Sequence, residues 1–384
     1  MLRFLTAGES HGKCLTAIIE GLPSGVEISE EYINTNLFRR QQGYGRGGRM
    51  ELEQDRVEIT AGVRQGKTLG SPVCLMLYNR DYGNWADIMS ISEKNAIDNR
   101  EITRPRPGHA DLAGAIKYRH KDMRNILERA SARETAIRTA AGSVALALLK
   151  CFGIQIYSYV ASIGGVGLTE HPAITPEVLE IIEASPVRCP EKAAERLMIN
   201  AINAAKASGD SIGGTFRIIV KNVPPGIGSH VHWDRRLDAN LSRAMMSIPG
   251  IKGVEIGAGF DSAKLPGSKM HDGILYDGSF HRSSNNAGGI EGGISNGEDI
   301  LITCAMKPIP TLAKPLQSID VGTKEAFPAC VERSDVCAVP SASIVGEAAA
   351  SLELAAAFIE KFGGDSIEEM LANYNSYMTY VRGI

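Results

Sequence analysis

Serine and histidine stand side by side near the start of the chain, where Gly8-Glu9-Ser10-His11-Gly12 spells G-x-S-x-G. This pattern is typical of a hydrolase nucleophile elbow, in which a serine lies on a strained turn between a strand and a helix. A serine hydrolase is therefore one hypothesis. However, only one strand is predicted before Ser10, and residues 14–20 after it form another predicted strand instead of a helix. The alternatives are a tight turn that holds Ser10 and His11 at a polar site and an incidental glycine turn.

A second cluster of chemically capable side chains occupies residues 104–111, with the sequence RPRPGHAD. Its two prolines fix φ and disfavour a helix, so the segment is predicted to be a stiff, extended loop. It presents Arg104, Arg106 and His109 at fixed spacing, and Asp111 is available to orient or charge His109. Rigid loops that carry polar groups are common locations of functional sites.

A third cluster, ERASARET at residues 128–135, lies near the start of a helix predicted over about 125–151. In one continuous helix, Arg129 and Arg133 would share a face, and Glu134 could pair with Arg138 one turn later. Helix N-terminal N–H groups, together with Ser131 and the two arginines, would suit a phosphate.

The distribution of charge favours an anionic ligand. The net charge of −3 argues against nucleic-acid binding by the chain as a whole, yet residues 32–50 contain no acid and four arginines. Arginine is suited to bidentate recognition of carboxylate and phosphate, although a solvated basic face would give the same count.

Three further segments need interpretation. Residues 61–68, AGVRQGKT, nearly spell a phosphate-binding P-loop, but Gly70, Ser71 and Pro72 follow at once and predict a hairpin instead of the required helix. The glycine-rich residues 285–297 would let backbone approach a flat or phosphorylated ligand. Residues 307–311, KPIPT, form a stiff polar loop after a strand predicted over 300–306.

The order of predicted elements suggests that the chain contains an internal duplication. LPSGV at 22–26 is echoed by VPPGI at 223–227, VEITAG at 57–62 by VEIGAG at 254–259, and ERAS at 128–131 by ERSD at 332–335. The offsets are 201, 197 and 204 residues. We therefore predict related halves near 1–165 and 200–384, with the two ER motifs facing one cavity. Two amphipathic helices, predicted over 176–184 and 190–208, separate the halves.

Bulk composition narrows the class of protein. The 384 residues are enough for a large buried core, and no apolar run approaches the roughly 18 residues of a membrane helix. The N-terminal residues do not predict a signal peptide. Seven scattered cysteines without a C-x-x-C pair or metal-ligand spacing predict reduced thiols in a cytoplasmic protein.

Eight segments, in their order along the chain, together resemble the chorismate synthase family: AGESHG, QQGYGRGGRM, RPRPGHAD, ERASARET, KGVEIGAGF, NNAGGIEGGISNG, KPIPT and ERSDVCAVP. The resemblance covers nearly the whole chain. It implies a lyase that converts 5-enolpyruvylshikimate 3-phosphate to chorismate by 1,4-anti-elimination of phosphate. It also implies a need for reduced FMN (FMNH2), although the reaction has no net redox change.

The resemblance also assigns roles to individual residues. His11 would be the general acid for the leaving phosphate, with Ser10 positioning it. His109 would lie near the flavin N1/O2 edge and Asp335 near N5, where it would help to remove the C6 proton directly or through the flavin. The implied substrate-binding residues are Arg40, Arg46, Arg49, Arg106 and Arg133. The implied FMN-contacting residues are Arg129, Ala130, Ser131, Pro249, Gly250, Gly292, Lys307, Pro308, Ile309, Pro310, Thr311 and Arg333.

The implied fold is α+β, a single-domain sandwich of helices between antiparallel sheets, assembled as a homotetramer. No dinucleotide-binding fingerprint is present, so the sequence does not indicate an NADPH site. NADPH would be needed only if the chain reduces its own flavin. Otherwise a separate flavin reductase would supply the reduced flavin. Many family members have His and Pro where this chain has Ser334 and Val336, which puts the local hydrogen bonding in question. A non-catalytic flavin or phosphometabolite-binding protein would need only the arginines and glycines, not Ser10, His11, His109 and Asp335.

Overall fold

The two longest helices pack against each other between two antiparallel sheets. The computed structural model describes residues 1–47, 54–92, 101–332 and 334–384. The helices are α1 (Glu30–Gln41), α2 (Asp111–Tyr118), α3 (Arg124–Ala130), α4 (Glu134–Lys150), α5 (Pro176–Ala184), α6 (Lys192–Ala207), α7 (Leu237–Met246), α8 (Gly267–Met270), α9 (Val339–Phe362) and α10 (Ile367–Arg382). Short 3₁₀ helices cover Arg80–Asn84, Trp233–Arg235 and Gly259–Lys264.

The strands form two main sheets and several two-stranded ribbons. In chain order they are β1 (Arg3–Ala7), β2 (Cys14–Glu20), β3 (Val57–Ala61), β4 (Val63–Arg64), β5 (Lys67–Thr68), β6 (Val73–Tyr78), β7 (Gln155–Ile163), β8 (Val166–Gly167), β9 (Gly214–Lys221), β10 (Ile251–Ile256), β11 (Ile274–Tyr276), β12 (Phe280–Arg282), β13 (Ile290–Glu291), β14 (Ile294–Ser295), β15 (Ile300–Met306), β16 (Gln317–Ile319) and β17 (Ala326–Pro328). The first sheet packs on α4 and the second on α9, so the layers are sheet, helices, sheet. The predicted α+β sandwich is confirmed.

The two sheets share one order of connection. The first runs β1-β2-β6-β3, and the second, leaving out the short β8, runs β7-β9-β15-β10. The turn that follows β2 is held by the Thr68 hydroxyl, which accepts from Val26 N–H at 2.9 Å and donates to Pro23 C=O at 2.7 Å. The turn that follows β9 is held in the same way by the Ser295 hydroxyl, which accepts from Ile227 N–H at 2.8 Å and donates to Pro224 C=O at 2.6 Å.

These correspondences are what an internal duplication would leave, and the duplication remains our interpretation of them. They assign β7 to the same position as β1, so they place the boundary between the halves before Gln155 instead of near residue 165.

Local signals account for the elements that the sequence predicts well. Helix α1 begins at Glu30 because the Ser29 side chain caps it, accepting from Tyr32 N–H at 3.2 Å. It ends at Gln41, with Arg39 and Arg40 in the last turn, where cations interact favourably with the helix dipole. Residues 63–68 form the β4–β5 hairpin, so the P-loop alternative is excluded.

The single helix predicted over about 125–151 is wrong. Helix α3 ends at Ala130, Ser131 has an extended backbone with ψ 143°, and α4 begins at Glu134. The Ser131 hydroxyl accepts from the Arg133 N–H at 3.2 Å, and this local bond competes with helix continuation. Arg129 and Arg133 therefore do not share a helix face, whereas the predicted Glu134–Arg138 pair forms at 3.0 Å.

Helix α9 is long and apolar enough to cross a membrane, but 78% of its most apolar window is buried inside the protein. Such burial is typical of a core helix. Its contact with α4 is close at Gly142, where an added Cβ would lie 2.4 Å from the Ala348 Cβ. The Ser351 hydroxyl also donates to Gly142 C=O at 2.8 Å.

We expect Gly142→Ala to lower the free energy of unfolding by about 1–3 kcal/mol, because the extra methyl overpacks the helix contact by more than alanine gains in helix propensity. Denaturant unfolding followed by circular dichroism measures this cost. In the control Gly267→Ala, the nearest atom would lie 3.6 Å from the new Cβ, and the change should stay within about 0.5 kcal/mol. Equal stabilities for the two variants would contradict the close packing of α4 on α9.

Candidate active site

A cavity of about 620 Å³ opens where many segments meet. They include the β1–β2 turn, the end of α1, the loop before α2, the α3–α4 junction, residues 248–250 before β10, the loop after β15 and the first turns of α9. This volume lies within the range of small-molecule sites. Apolar side chains such as Leu127, Ile248, Met306 and Val345 form much of its wall. The polar groups project from the loops and helix ends.

Most of the residues identified from the sequence line this cavity. They are Ser10, His11, Arg40, Arg46, Arg106, His109, Ala130, Ser131, Arg133, Pro249, Gly250, Lys307, Pro308, Ile309, Pro310, Thr311 and Asp335. Arg129 lines a smaller neighbouring pocket, since its guanidinium donates to the carbonyls of Thr6 and Gly8. Gly292 lies in the β13–β14 turn and lines neither cavity. Arg49 and Arg333 lie outside the described residues.

The glycine turn presents Ser10 and His11 without a following helix. Gly8 has φ +112°, and a Cβ there would lie 2.4 Å from the Cys14 carbonyl oxygen, so this position requires glycine. Strand β2 follows the turn directly, and the structural context of a hydrolase elbow is absent. Ser10 is buried, and its hydroxyl accepts from the Ser131 hydroxyl at 3.1 Å.

His11 is held by an aromatic ring and a carboxylate. Its ring stacks on Trp85 with centroids 3.9 Å apart. Its Nδ1 lies 2.9 Å from Glu128 Oε1, and its backbone N–H donates to Glu128 Oε2 at 2.8 Å. Burial acts to raise the pKa of Glu128, but the hydrogen bonds from His11 and the charge of Arg124 outweigh it and lower that pKa. Glu128 is therefore an ionised, buried partner of His11.

His109 has a similar partner. Its Nδ1 lies 2.6 Å from Asp111 Oδ1, and Asp111 Oδ2 accepts from Arg106 Nε at 2.9 Å. Asp111 is fully buried, and burial acts to raise its pKa. The hydrogen bonds from His109 and Arg106 nevertheless hold the pKa well below its usual range. The orienting role that the sequence spacing suggests for Asp111 is thus consistent with its contacts.

Buried guanidinium groups form the anion-binding part of the cavity. Arg133 Nη1 contacts Asp55 Oδ1 at 2.6 Å, and Arg40 Nη1 lies 3.6 Å from Asp55 Oδ2. Burial lowers the pKa of Arg40 to about 10, and the charges of Arg46 and Arg133 act in the same direction against Asp55. Among the described residues, Arg40 Nη1 and Arg46 Nε are buried without a hydrogen-bond partner. Such donors are costly unless an anion accepts from them.

Asp335 joins two of the segments around the cavity. Its Oδ1 accepts from Gly47 N–H at 2.7 Å, and its Oδ2 lies 3.0 Å from Arg46 Nη1. The neighbouring Ser334 hydroxyl donates to the Thr311 carbonyl at 3.2 Å. Ser334, at a position where many family members have histidine, therefore connects the ERSD segment at 332–335 to the loop after β15.

Sequence reasoning missed several residues of the site. Glu128 lies inside a motif that was identified, but nothing in the motif indicates that its carboxylate faces the β1–β2 turn. Trp85 and Asp55 lie in segments without a motif. Each contacts a residue more than forty positions away in sequence, which local patterns do not encode.

Comparison with known proteins assigns the chain to a family. Residues 2–359 match the family model described as chorismate synthase. The chain is 57% identical to the chorismate synthase of Geotalea daltonii and 54% identical to that of Desulforamulus reducens, each over the full length of both proteins. It is also similar to a solved crystal structure of chorismate synthase, with a TM-score of 0.81, 44% identity and coverage of 100% of this chain and 99% of that one.

We expect inorganic phosphate to bind the guanidinium cluster and raise Tm, because Arg40 and Arg46 carry buried donors that no described residue accepts from. Arg46→Gln should weaken phosphate binding about 10-fold or more, the scale of losing one charged hydrogen bond. Thermal unfolding at increasing phosphate, matched for ionic strength with chloride, measures the affinity. The control Arg138→Gln removes a cation outside the cavity and should leave it unchanged. An equal response of the two variants would exclude this anion site.

Proposed function

Because the chain belongs to the chorismate synthase family, we propose that the cavity is where it eliminates phosphate from 5-enolpyruvylshikimate 3-phosphate. The chain is a carbon–oxygen lyase of the shikimate pathway, and its product chorismate is the last common intermediate of aromatic amino-acid biosynthesis. The observation that supports this location is the meeting of His11, His109 and the buried guanidinium groups in one cavity.

The charge of the cavity fits the substrate, which carries two carboxylates and a phosphate. Lys307 and four arginines line the cavity, against the carboxylates of Glu332 and Asp335 among the described lining residues. Arg40 and Arg46 supply buried donors that have no hydrogen-bond partner among the described residues, whereas Arg106 and Arg133 are held in place by Asp111 and Asp55. We assign the first pair to direct anion binding and the second pair to shaping the site as well.

Elimination needs a proton donor for the phosphate and an acceptor for the C6 proton. We assign His11 as the donor: its proton passes to a phosphate oxygen as the C3–O bond breaks and the electron pair leaves with the phosphate. The C6–H electron pair forms a C6=C1 double bond, the C1=C2 pair shifts to C2=C3 as the phosphate leaves C3, and the C6 proton passes to the carboxylate of Asp335. The contacts of Asp335 with Gly47 and Arg46 fix that carboxylate in orientation. Ser10 positions the phosphate next to His11.

The cavity also has the features that a flavin needs. Its apolar wall suits a flat ring system, and hydroxyl, amide and ammonium groups border it. We propose that FMN is held by Ala130, Ser131, Pro249, Gly250 and the 307–311 loop. When bound, reduced FMN supplies an electron transiently to the substrate. His109, whose Nδ1 is hydrogen-bonded to Asp111, would stabilise the anionic reduced form.

The remaining assignments rest on the family. We propose a cytoplasmic homotetramer that receives reduced flavin from a separate reductase, with NADPH required only if the chain reduces its own flavin. All seven cysteines are free thiols, in keeping with a reducing compartment.

Replacing His11 tests the proposed general acid. With photoreduced FMN under anaerobic conditions and no NADPH, the wild-type protein should form chorismate, measured by its absorbance. His11→Ala should lower kcat by about 10²-fold or more, because phosphate would leave without a proton. FMN affinity should be nearly unchanged, and His232→Ala, at an exposed histidine, should behave as wild type. No chorismate from the wild-type protein would overturn the proposed function.

Replacing His109 should affect the binding of reduced flavin more than the protonation of the leaving phosphate. We expect His109→Ala to weaken binding of reduced FMN relative to oxidised FMN by about 10-fold, since one charged contact is lost. Anaerobic titration followed by the absorbance of the reduced flavin measures this ratio. The exposed-histidine control should keep it, and an unchanged ratio in His109→Ala would contradict the proposed contact.

A further inference from the structure

A carboxylate with no assigned role in the reaction lies directly behind the proposed proton donor. The Glu128 side chain is 1% exposed, and it projects from α3 toward the turn that carries Ser10 and His11. Glu128 is absent from the cavity wall among the described residues, so it is not a ligand contact. Its contacts instead determine the orientation of the His11 ring and which ring nitrogen carries the proton.

Glu128 binds the turn at three atoms. Its backbone carbonyl accepts from Ser10 N–H at 3.0 Å, its Oε2 accepts from His11 N–H at 2.8 Å, and its Oε1 lies 2.9 Å from His11 Nδ1. An ionised carboxylate can only accept, so the imidazole must hold a proton on Nδ1.

The surroundings reinforce this orientation. Arg124 Nη1 donates to Glu128 Oε1 at 3.2 Å, which favours the ionised carboxylate, and the Arg124 guanidinium lies 5.0 Å from the centre of the Trp85 ring. The Trp85 ring stacks on the His11 ring, and the Trp85 Nε1 donates to Asp81 at 3.0 Å. The plane of the imidazole is therefore set by Trp85 and its rotation by Glu128.

We propose that Glu128 is the positioning residue of the general acid: it keeps the Nδ1 proton on His11 so that the phosphate receives its proton from Nε2. When His11 is doubly protonated, the two side chains form an ion pair. After transfer, His11 is neutral with its Nδ1 proton still on the hydrogen bond to Glu128, and solvent returns the other proton. The carboxylate itself does not gain a proton. The proposal rests on the general-acid role of His11.

The chemistry of Glu128 can be separated from its packing. Glu128→Gln has nearly the same shape but no charge and only one acceptor oxygen, for which Arg124, the His11 N–H and the His11 Nδ1–H compete. Where that oxygen faces Arg124, the amide NH₂ group faces His11 and favours the tautomer with an unprotonated Nδ1. Glu128→Asp keeps the charge on a shorter side chain. Glu134→Gln is the matched control, since Glu134 is also a buried carboxylate beside an arginine, and it accepts from Thr6 instead of a histidine.

Two-bond ¹H–¹⁵N spectra of the eight histidine rings report which ring nitrogen carries the proton. The His11 signals are assigned by their loss in His11→Ala. We expect the neutral wild-type ring to be protonated on Nδ1, and Glu128→Gln to shift it toward the other tautomer. In the same variant kcat should fall at least about 10-fold, and at most by the 10²–10⁴-fold of losing a general acid, while KM changes less. Glu128→Asp should recover part of the activity and retain the Nδ1 proton, and Glu134→Gln should leave the His11 signals unchanged.

Two results would overturn the proposal in distinguishable ways. If Glu128→Gln loses activity while His11 keeps its Nδ1 proton, the positioning role is wrong and the general-acid role stands. If the tautomer changes while kcat does not, His11 is not the proton donor, and the proposed function of this turn fails together with the proposal. If Glu128→Gln does not fold, Glu128→Asp provides the same two readouts with the charge retained.

Discussion

A guanidinium or imidazolium taken out of water costs several kcal/mol unless a carboxylate accompanies it, and the cavity of this protein is built around that constraint. Asp55 compensates Arg133, Asp111 compensates Arg106, and Glu128 compensates Arg124. These three carboxylates come from a loop, a helix start and a helix interior. Folding must bring all of them together before the cavity can exist.

The same arrangement leaves positive charge for a ligand. Each compensating carboxylate is shared between two basic groups, and Asp55 lies too far from Arg40 Nη1, at 3.6 Å, for a hydrogen bond. Arg40 Nη1 and Arg46 Nε therefore have no hydrogen-bond partner among the described residues. An anion that binds in the cavity can accept hydrogen bonds from these donors and offset their positive charge. Binding of a substrate with three anionic groups and stabilisation of the folded site are thus coupled through one electrostatic requirement.

The helix pair α4 and α9 gives this site its rigidity. The close approach at Gly142 allows the two helices to pack side by side, and the first residues of both helices border the cavity. Ser131 and Asp335, which the repeated ER motifs place in corresponding positions, both line it. This agrees with the expectation that the two motifs face one cavity, for the residues that the structure describes. The loops that carry His11 and His109 are also fixed by buried hydrogen bonds to Glu128 and Asp111 on neighbouring helices.

The sequence by itself determined the elements and motifs with local causes: the hairpin in place of a P-loop at 63–68, the glycine turn around Ser10, the proline-stiffened loop at 104–110, and the family to which the motifs belong. It also identified most residues that line the cavity. Only the tertiary structure decided that the predicted long helix breaks at Ser131 and that Glu128, Trp85 and Asp55 are partners of the site. The physical reason is that a cap or a turn depends on neighbours in sequence. The compensation of a buried charge depends on which groups folding brings within about 3 Å, whatever their separation along the chain.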